Sequence, residues 1–412
     1  TLDAAFAILE REIPVVEIVD PAGPVPEGRG EPTYDALAEG DAPLSDALPD
    51  DEWQAITLNY TSGTSGRPKG VVYHHRGAYL MALGTVAAWQ VPHRPAYLSV
   101  VPMFHCNGWG HPWMMAIVGG KTVFVRQPEP ARIFAAIEAE GITHFGAAPV
   151  ILQMLAESDA APTAPFDPPI QVMTAGAPPP PAILERTAAM GMEVMHVYGL
   201  TETYGHISQA LPQPGWAGLS PEAQAEQRAR QGVAFPMVES VTVIDRATGE
   251  PVPRDGATQG EIMVRGNTVM KGYYKDPAAT EDAMGSGLFA TGDAAVVYPD
   301  GYIQIRDRLK DVIISGGENV SSVEVEATLY RHPDVQAAAV VAKPDDRWGE
   351  VPCAFVELRP GATADADDII GFCRTHLAGF KTPKTVIFTE IPKTATGKVQ
   401  KFMLRARAKE LS

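Results

Sequence analysis

The chain has 412 residues, of which 45% are hydrophobic and 20% are charged, so a fibre or a disordered polymer is excluded and two or three globular domains are expected. Its formal net charge of −17 argues against a general surface for nucleic acids or anionic membranes. The three cysteines show neither pairing nor metal-type spacing, and no apolar run reaches the ~18 residues of a membrane span. We therefore expect a reduced, cytoplasmic protein.

The first half of the chain alternates apolar runs with helical periodicity. Residues 22–50 are acidic and rich in Pro and Gly, which is typical of a loop, and a strand is predicted at about Ala55–Asn59. Residues 131–141 predict an amphipathic helix that ends at Gly141. Buried strands are predicted at 96–102, 121–126, 143–149, 170–176 and 192–199. This alternation predicts a doubly wound α/β sheet.

The second half of the chain has a different pattern of apolar and turn residues. After about residue 235, short strands divided by turn residues predict an antiparallel hairpin or a small β-barrel-like module. From about Lys310 onward, three apolar strands with intervening helices predict a small α+β domain. The predicted fold is therefore α/β plus α+β, with a large domain over residues 1–308, a β-rich module at 235–308, and a C-terminal domain at 309–412.

A loop rich in hydroxyls and glycines follows the first predicted strand. Hydroxyl and amide groups between a strand and a predicted helix can donate hydrogen bonds to phosphate oxygens, and Lys69 adds a positive charge. A solvated Ser/Gly turn is the alternative, and the length of the run together with the lysine argues against it. The predicted phosphate-binding residues are Thr61, Ser62, Gly63, Thr64, Ser65 and Lys69.

The loop does not match the Walker pattern GxxxxGK[ST], although Gly63 and Lys69 have the required separation. Pro68 occupies the place of the second glycine, and Gly70 replaces the magnesium-binding hydroxyl. The stretch YTSGTSGRPKGV instead resembles the signature of the adenylate-forming superfamily, which includes acyl-CoA synthetases, luciferases and peptide-synthetase adenylation domains.

Later motifs of the superfamily follow in order. The segment YGLTET resembles the one in which a tyrosine lies against adenine, a threonine contacts the α-phosphate and a glutamate helps to hold Mg²⁺, which implies these roles for Tyr198, Thr201 and Glu202. The resemblance also implies that Asp293 and Arg308 bind the ribose hydroxyls of ATP. An ionised carboxylate suits this role because it can accept from both cis hydroxyls.

The C-terminal segment resembles the mobile domain of the same superfamily. PKTATGKVQK matches the family's lysine loop, so Lys398 is implied to contact the acyl carboxylate and the α-phosphate during adenylation. Charge that builds on the phosphate oxygens during this step needs such a cation. The resemblance further implies a hinge at Lys310 and a second half-reaction with coenzyme A. It places the coenzyme A loop at Ser315, Gly316, Gly317 and Glu318.

The acyl-binding segments are less distinctive. VPMFHCNGWGHPW corresponds to the segment that carries an aromatic or histidine gate, which implies that His105 and Trp109 border the acyl group. A buried structural histidine with a stacked tryptophan is the alternative, and a metal site with His111 lacks a fourth ligand. Gly176 and Ala177 are implied to approach adenine and the acyl tail, and no acidic residue beside these segments could hold a substrate ammonium group.

The segment at residues 204–233 resembles a subgroup of short-to-medium-chain fatty acyl-CoA synthetases that includes methylmercaptopropionate-CoA ligases. We therefore expect a ligase that uses ATP, Mg²⁺, coenzyme A and a small carboxylic acid. An adenylation domain that loads a carrier protein and a non-catalytic nucleotide-binding relative are the alternatives. No carrier-type sequence follows the last motif, and the implied site residues are present. Members of the superfamily are often dimers, so a homodimer is expected.

The segment before the phosphate loop is short for this superfamily. Only about 60 residues precede the loop, whereas members of the superfamily usually have a longer segment there. If that segment supplies sheet strands, its loss would expose strand edges in the core. We therefore expect a diminished or inactive enzyme unless the missing part is supplied separately.

Overall fold

The computed structural model describes residues 15–16, 18–19, 33–39, 48–61, 68–393 and 399–411. The chain divides into two units, Thr1–Asp50 and Asp51–Ser412. In the first unit, the described residues contain one short helix, Tyr34–Ala38 (α1), whose N-cap Thr33 accepts a hydrogen bond from the Ala36 N–H. All the strands described below belong to the second unit.

The strands are numbered in chain order. They are β1 Ala55–Thr61, β2 Lys69–His74, β3 Ala96–Ser99, β4 Lys121–Phe124, β5 His144–Ala147, β6 Ile170–Thr174, β7 Met192–Leu200, β8 Gly205–Gln209, β9 Val233–Ala234, β10 Val238–Ile244, β11 Gly260–Gly266, β12 Gly272–Tyr273, β13 Phe289–Val297, β14 Ile303–Arg308, β15 Ile313–Ser315, β16 Glu318–Val320, β17 Val335–Asp345, β18 Gly349–Leu358 and β19 Thr385–Phe388.

The remaining α-helices of more than four residues are also numbered in chain order. They are α2 His75–Ala88, α3 His111–Val118, α4 Pro130–Glu140, α5 Pro149–Ala156, α6 Pro181–Ala189, α7 Pro221–Arg228, α8 Pro277–Met284, α9 Ser322–Leu329, α10 Ala366–His376 and α11 Lys401–Lys409. None of the helices in the described part of the chain is long and apolar enough to cross a lipid bilayer.

The largest sheet has seven strands in the order β4-β3-β5-β6-β7-β8-β9. Strands β3 to β7 run parallel, whereas β8 and β9 pair antiparallel at one edge. The crossover helix α4 buries Ile133, Phe134 and Ile137 and ends at Gly141, which adopts a left-handed φ of 64°. Glycine reaches this conformation without a steric penalty, so the predicted helix and its end are both confirmed.

Two antiparallel sheets accompany the large one. The first has the order β1-β2-β12, and the second has the order β10-β11-β13-β14. The β-rich module predicted after residue 235 is the second of these sheets. Its strand partners include Asp293 on β13 and Arg308 on β14, which lie directly opposite each other.

The C-terminal residues form a five-stranded sheet in the order β16-β15-β18-β17, with β19 parallel to β18. Two hydrophobic clusters cover its faces, one around Val340 and Val356 and the other around Val341 and Phe355. Side chains alternate between the two faces along a strand, so neighbouring residues such as Val340 and Val341 on β17 belong to opposite clusters. This arrangement matches the predicted α+β class, and the proposed boundary after Arg308 falls between β14 and β15.

Candidate active site

The predicted phosphate loop lies at the end of a β-hairpin. Thr61, the last residue of β1, is the register partner of Lys69, the first residue of β2. The predictions for Ser62, Gly63, Thr64 and Ser65 lie outside the described residues. The expectation that a helix follows the loop directly is wrong, because residues 69–74 form a strand and α2 begins only at His75. Lys69 is therefore placed by sheet pairing and not by a helix terminus.

Lys69 is linked to Glu202 through an aromatic side chain. Its Nζ atom lies 4.6 Å from the centroid of the Tyr273 ring, and the Tyr273 hydroxyl donates to Glu202 Oε1 over 2.9 Å. Burial, followed by the charge of Glu202, raises the pKa of Tyr273, so the phenol stays neutral and can donate. Strand β12 places Tyr273 beside β2. Sequence analysis missed this residue, which has no adjoining motif.

The three residues predicted to bind the nucleoside meet in one cluster. The Tyr198 hydroxyl donates to Asp293 Oδ2 over 2.5 Å, and Arg308 Nε lies 3.1 Å from Asp293 Oδ1. The Asp293 side chain is only 4% exposed, whereas that of Arg308 is 35% exposed. Burial and then the charge of Asp293 raise the pKa of Tyr198 well above its usual range. The Asp293 carboxylate is therefore fixed in place, and its ion-pair partner Arg308 is the more exposed of the two.

Thr201 is held from two sides. The Tyr73 hydroxyl donates to the Thr201 carbonyl over 2.6 Å, and Cys106 Sγ lies 3.6 Å from Thr201 Oγ1. Burial raises the pKa of the Cys106 thiol, so the sulfur is neutral at this contact. The segment 198–202 therefore spans two clusters. Tyr198 lies in the cluster with Asp293 and Arg308, Glu202 lies beside Tyr273, and Thr201 lies between them.

Trp109 occupies a buried aromatic cluster. Trp109 is 6% exposed. Its ring packs edge to face against the rings of His111 and His206, with ring centroids 6.0 Å apart in each pair. His105 is half-buried, and its carbonyl accepts hydrogen bonds from the Gly108 and Trp109 N–H groups. Trp109 is therefore buried against two histidine rings, whereas His105 itself is only half-buried. In the described part of the chain, no group of three or more His, Cys, Asp or Glu side chains could hold a metal ion.

The histidines around Trp109 are neutral. A hydrogen bond of 2.6 Å joins the Tyr97 hydroxyl and His111 Nδ1. Burial, followed by the neighbouring His206 and His144, lowers the pKa of His111 well below its usual range, and burial lowers the pKa of His206 to about 4. Among the described residues, His111 Nε2 and His206 Nε2 have no hydrogen-bond partner. The side chains around Trp109 are therefore aromatic and uncharged, and the two histidines each have a ring nitrogen without a hydrogen-bond partner among the described residues.

Gly176 and Ala177 follow the carboxyl end of β6 and are exposed. Gly176 has a φ of 96°, and no atom lies within 4 Å of the position where a Cβ would stand. The carboxyl ends of parallel strands are the edge at which open α/β sheets bind ligands. These two residues therefore lie where backbone is accessible to a ligand.

The segment predicted to contact coenzyme A is a tight hairpin. Ser315 pairs with Glu318 across a turn in which Gly316 and Gly317 have φ values of 62° and 87°. The Gly316 N–H donates to the Trp348 carbonyl over 2.8 Å. A Cβ on Gly316 would stand only 2.7 Å from Trp348 Cε3. Sequence analysis missed Trp348, which packs over this turn from a distant part of the chain.

The predicted hinge Lys310 is exposed in the turn between β14 and β15. The Leu309 N–H donates to the Gly292 carbonyl over 2.8 Å, so the turn is tied to the residue before Asp293. A cleft of about 370 Å³ opens there, lined by Thr291, Gly292, Arg308, Leu309 and Lys310 among others. The predicted hinge and the cluster around Asp293 are thus adjacent.

Lys398 lies outside the described residues. The residues on each side of its loop, Lys393 and Val399, form an antiparallel bridge. Helix α11 follows, and Lys401 at its start forms an ion pair of 2.7 Å with Glu326 and a hydrogen bond of 2.6 Å with Ser322. The base of the lysine loop is therefore anchored to helix α9.

Comparison with known proteins agrees with the motifs. The family model described as AMP-binding enzyme matches residues 7–274, and the model described as AMP-binding enzyme C-terminal domain matches residues 324–398. The chain is 49% identical over 385 residues to an acetate–CoA ligase of Humulus lupulus, covering 92% of this chain and 68% of that one. It is 50% identical over 383 residues to a peroxisomal acetate/butyrate–CoA ligase of Arabidopsis thaliana, covering 92% and 67%.

Two solved structures have the same fold. The ATP-bound MatB from Rhodopseudomonas palustris has a TM-score of 0.81 at 28% identity, covering 92% of this chain and 72% of that chain. The amide bond synthetase McbA from Marinactinospora thermotolerans has a TM-score of 0.80 at 30% identity, covering 98% and 78%. These matches confirm the predicted fold class and the resemblance to adenylate-forming enzymes. The chain therefore belongs to the AMP-binding enzyme family.

Proposed function

We propose that the chain is an ATP-dependent acyl-CoA ligase that activates a short-chain carboxylic acid through an acyl-adenylate. The observation that carries the proposal is the meeting of residues from separate motifs in two linked groups, one around Glu202 and the other around Asp293. Acetate and butyrate appear in the names of the relatives described above, and a further relative, a 2-methylpropanoate–CoA ligase of Humulus lupulus, is 46% identical over 417 residues.

In the first half-reaction, an oxygen of the acyl carboxylate attacks the α-phosphorus of ATP, and pyrophosphate leaves with the electrons of the broken P–O bond. Lys69 and the loop hydroxyls would bind the β- and γ-phosphates, Thr201 the α-phosphate, and Lys398 the charge that develops between acid and phosphate. Bound Mg²⁺ would neutralise phosphate charge. A single protein carboxylate beside substrate phosphates is a common Mg²⁺ arrangement, and Glu202, oriented by Tyr273, fits it.

The nucleoside would lie against Tyr198 with its ribose at Asp293. An ionised carboxylate offers about four acceptor sites. Tyr198 uses one of these sites and Arg308 faces another, so Asp293 retains acceptors for the two cis hydroxyls of ribose. The orientation of the carboxylate is fixed before ATP arrives, which lowers the entropy lost on binding.

In the second half-reaction, the thiol of coenzyme A attacks the acyl carbonyl carbon, and AMP leaves. We place the hinge for this step at Lys310, between a large domain of residues 1–308 and a small domain of residues 309–412 that would rotate about it. The hairpin Ser315–Glu318 would line the pantetheine path, where two glycines allow backbone to approach a ligand closely.

The acyl group would be bordered by His105, Trp109, Gly176 and Ala177. The neutral histidines around Trp109 provide no charge for a substrate ammonium group, which favours an uncharged acyl chain over an amino acid. A thioether acid of the methylmercaptopropionate type remains within the proposed substrate range. One methylene changes pocket binding by only ~1–3 kcal/mol, so several short acids are expected to be accepted.

The test is ATP–pyrophosphate exchange with acetate, propanoate, butyrate, 2-methylpropanoate, methylmercaptopropionate, octanoate, benzoate and glycine. Exchange should depend on added acid and should be fastest for the short aliphatic or thioether acids. Lys398→Ala should lower the rate by about 10²–10³-fold, as the loss of one preorganised charged group typically does. The exposed Asp159→Asn serves as a control variant.

Exchange without any acid, or with glycine alone, would contradict the proposal. The acceptor is tested separately by AMP release with coenzyme A, with pantetheine and with a simple amine, since one structural neighbour is an amide bond synthetase. Faster release with coenzyme A than with either alternative is the expected result. A cytoplasmic location and a homodimer stay predictions, and one of the relatives is named peroxisomal.

A further inference from the structure

Five consecutive residues before α3 have left-handed backbone angles. The φ values are 45° at Cys106, 48° at Asn107, 63° at Gly108, 55° at Trp109 and 74° at Gly110. L-residues other than Asn, Asp and Gly rarely adopt this conformation, and successive left-handed residues are rarer still because each brings its Cβ close to a carbonyl oxygen. Strained backbone persists only where the surroundings enforce it, and it is concentrated at functional sites. We call residues 106–110 the left-handed turn.

The backbone of the left-handed turn is closed by its own hydrogen bonds. The Gly108 and Trp109 N–H groups donate to the His105 carbonyl over 2.9 and 3.3 Å, and the Gly110 N–H donates to the Asn107 carbonyl over 3.3 Å. These bonds hold the shape of the turn but do not place it within the fold. That placement requires a contact with a different element.

Asn107 supplies such a contact. Its Oδ1 atom accepts from the Thr57 hydroxyl over 3.0 Å and from Asn59 Nδ2 over 3.1 Å. Asn59 Nδ2 also donates to the Thr57 hydroxyl over 3.1 Å, so the three side chains form a closed group, which we call the asparagine clamp. Asn59 is 6% exposed, which raises the cost of leaving its amide without a partner.

The two ends of the clamp differ in how firmly they are held. Thr57 and Asn59 belong to β1, which pairs with β2 up to the register partners Thr61 and Lys69. The left-handed turn has no sheet partner among the described residues, and its conformation is costly. Loss of the clamp should therefore move the turn and leave β1 in place.

The left-handed turn carries two side chains that border the proposed substrates. Cys106 Sγ lies 3.6 Å from Thr201 Oγ1, and Trp109 is fixed among the rings of His111 and His206. A shift of the turn would displace the acyl-pocket side chain directly. It would reach the phosphate site less directly, through the Cys106 sulfur, which contacts both Thr201 and Tyr73.

We propose that Asn107 is a positioning residue for acyl selection, which holds Trp109 in the acyl pocket by fixing the left-handed turn to β1. The inference rests on the proposed function, since it takes Trp109 as part of the acyl site. Loss of the clamp raises KM for the acid far more than KM for ATP. Because Asn107 acts through Oδ1 as an acceptor, an aspartate at this position can accept the same two hydrogen bonds.

Three variants distinguish the effect of the clamp hydrogen bonds from the effect of strain in the left-handed backbone. Asn107→Gly removes both hydrogen bonds and tolerates left-handed angles, so its defect contains no strain from those angles. Asn107→Asp keeps the acceptor and the tolerance of left-handed angles. Thr57→Val removes one donor from the β1 side with little change of shape and leaves the sequence of the turn untouched.

The first measurement is hydrogen exchange of a peptide covering residues 104–113 in the full chain. Asn107→Gly should speed exchange of the Gly108, Trp109 and Gly110 amides by about tenfold or more, given the loss of two hydrogen bonds. Thr57→Val should show a smaller increase, and Asn107→Asp should stay close to the parent chain. Unchanged exchange in Asn107→Gly, or equal acceleration in Asn107→Asp, would overturn the clamp.

The second measurement is acid-dependent ATP–pyrophosphate exchange. Asn107→Gly should raise KM for the best acid by about tenfold, with KM for ATP within about twofold, and Asn107→Asp should restore most of the loss. Equal increases in both KM values, or none, would overturn the role in acyl selection. If the parent chain shows no acid-dependent exchange, the proposed function fails and the acyl role fails with it, whereas hydrogen exchange still decides the clamp.

Discussion

Asp293 and Arg308 are directly opposed residues on adjacent antiparallel strands, and their side chains form an ion pair of 3.1 Å at the end of the β-rich sheet. The strand pairing places the carboxylate before any ligand binds. It also ties the nucleoside cluster to β14, the last strand before the proposed hinge at Lys310. A change at Asp293 should therefore act on nucleotide binding with little effect on the acyl pocket.

We expect Asp293→Asn to lower kcat/KM for ATP by about 10–100-fold, because hydrogen bonds to a charged group contribute ~1.5–3 kcal/mol. The variant should also lose the preference for ATP over 2′,3′-dideoxy-ATP, since the proposed contact is with the ribose hydroxyls. Both quantities can be measured by pyrophosphate exchange, with Asp159→Asn as the control. A variant that still prefers ATP to the dideoxy analogue would contradict the assignment.

Tyr273 offers a test of the group around Glu202. Tyr273→Phe keeps the ring near Lys69 but removes the hydroxyl that orients Glu202, so the Mg²⁺ concentration for half-maximal activity should rise by about tenfold. Tyr273→Leu also removes the cation–π contact and should raise KM for ATP by a few-fold more. Titration of activity with Mg²⁺ measures the first effect.

Tyr274 provides a matched control, because it is the next residue and 48% exposed. Tyr274→Phe should leave the Mg²⁺ titration unchanged. If Tyr273→Phe titrates like the parent chain, the hydroxyl does not orient a metal-binding carboxylate.

The buried histidines predict an acid-sensitive fold. Burial lowers the pKa values of His144, His196 and His206 to about 4, whereas an unfolded histidine titrates near 6.5. Between these values the unfolded chain binds more protons than the folded chain. The free energy of unfolding should therefore fall as pH decreases from about 6.5 to about 4, by up to about 3 kcal/mol for each histidine.

Urea unfolding near pH 7 and near pH 5 measures this loss. His206→Phe removes one titrating group while keeping an aromatic ring beside Trp109 and Phe235, so its free energy of unfolding should depend less steeply on pH. The exposed His93→Gln is the control and should keep the parent slope. An unchanged slope in His206→Phe would show that His206 is not held neutral by the fold.

The hairpin Ser315–Glu318 contains two glycines that differ in one respect. Both have positive φ, but only at Gly316 would an added Cβ meet the Trp348 ring, since no atom lies within 4 Å of the Gly317 Cβ position. Gly316→Ala should slow coenzyme A-dependent AMP release by about tenfold or more relative to pyrophosphate exchange, whereas Gly317→Ala carries only the ~1 kcal/mol backbone cost. Equal effects of the two variants would show that the packing of this turn against Trp348 has no specific role in the thioester step.

Local patterns predicted the large sheet well. The runs that contain β5, β6 and β7 are rich in apolar residues, and α4 shows helical spacing up to a glycine with left-handed φ. These signals depend only on neighbouring residues, so they are readable from one sequence. The predicted site residues Tyr198, Asp293 and Arg308 came from ordered motifs, and they meet within one cluster.

Features that depend on contacts between residues distant in the sequence could not be predicted in the same way. Strand β12 contains only Gly272 and Tyr273, and it joins β2 across about 200 residues of chain, so Tyr273 carries no local sign of its partner Glu202. The left-handed turn contains Cys106 and Trp109, residues whose propensities oppose that conformation, and it depends on side chains of β1. Tertiary contacts decided both features.

The hairpin formed by β1 and β2 has a consequence for sequence searches that look for phosphate loops. Pro68→Gly and Gly70→Ser would together complete the GxxxxGK[ST] pattern beginning at Gly63. The fold would still place strand β2 directly after the loop, with helix α2 beginning only at His75, and a Cβ at residue 70 would stand 3.0 Å from Leu58 and 3.2 Å from Tyr274. A pattern search would then report a P-loop, although the described residues place a strand, and not a helix, directly after its lysine.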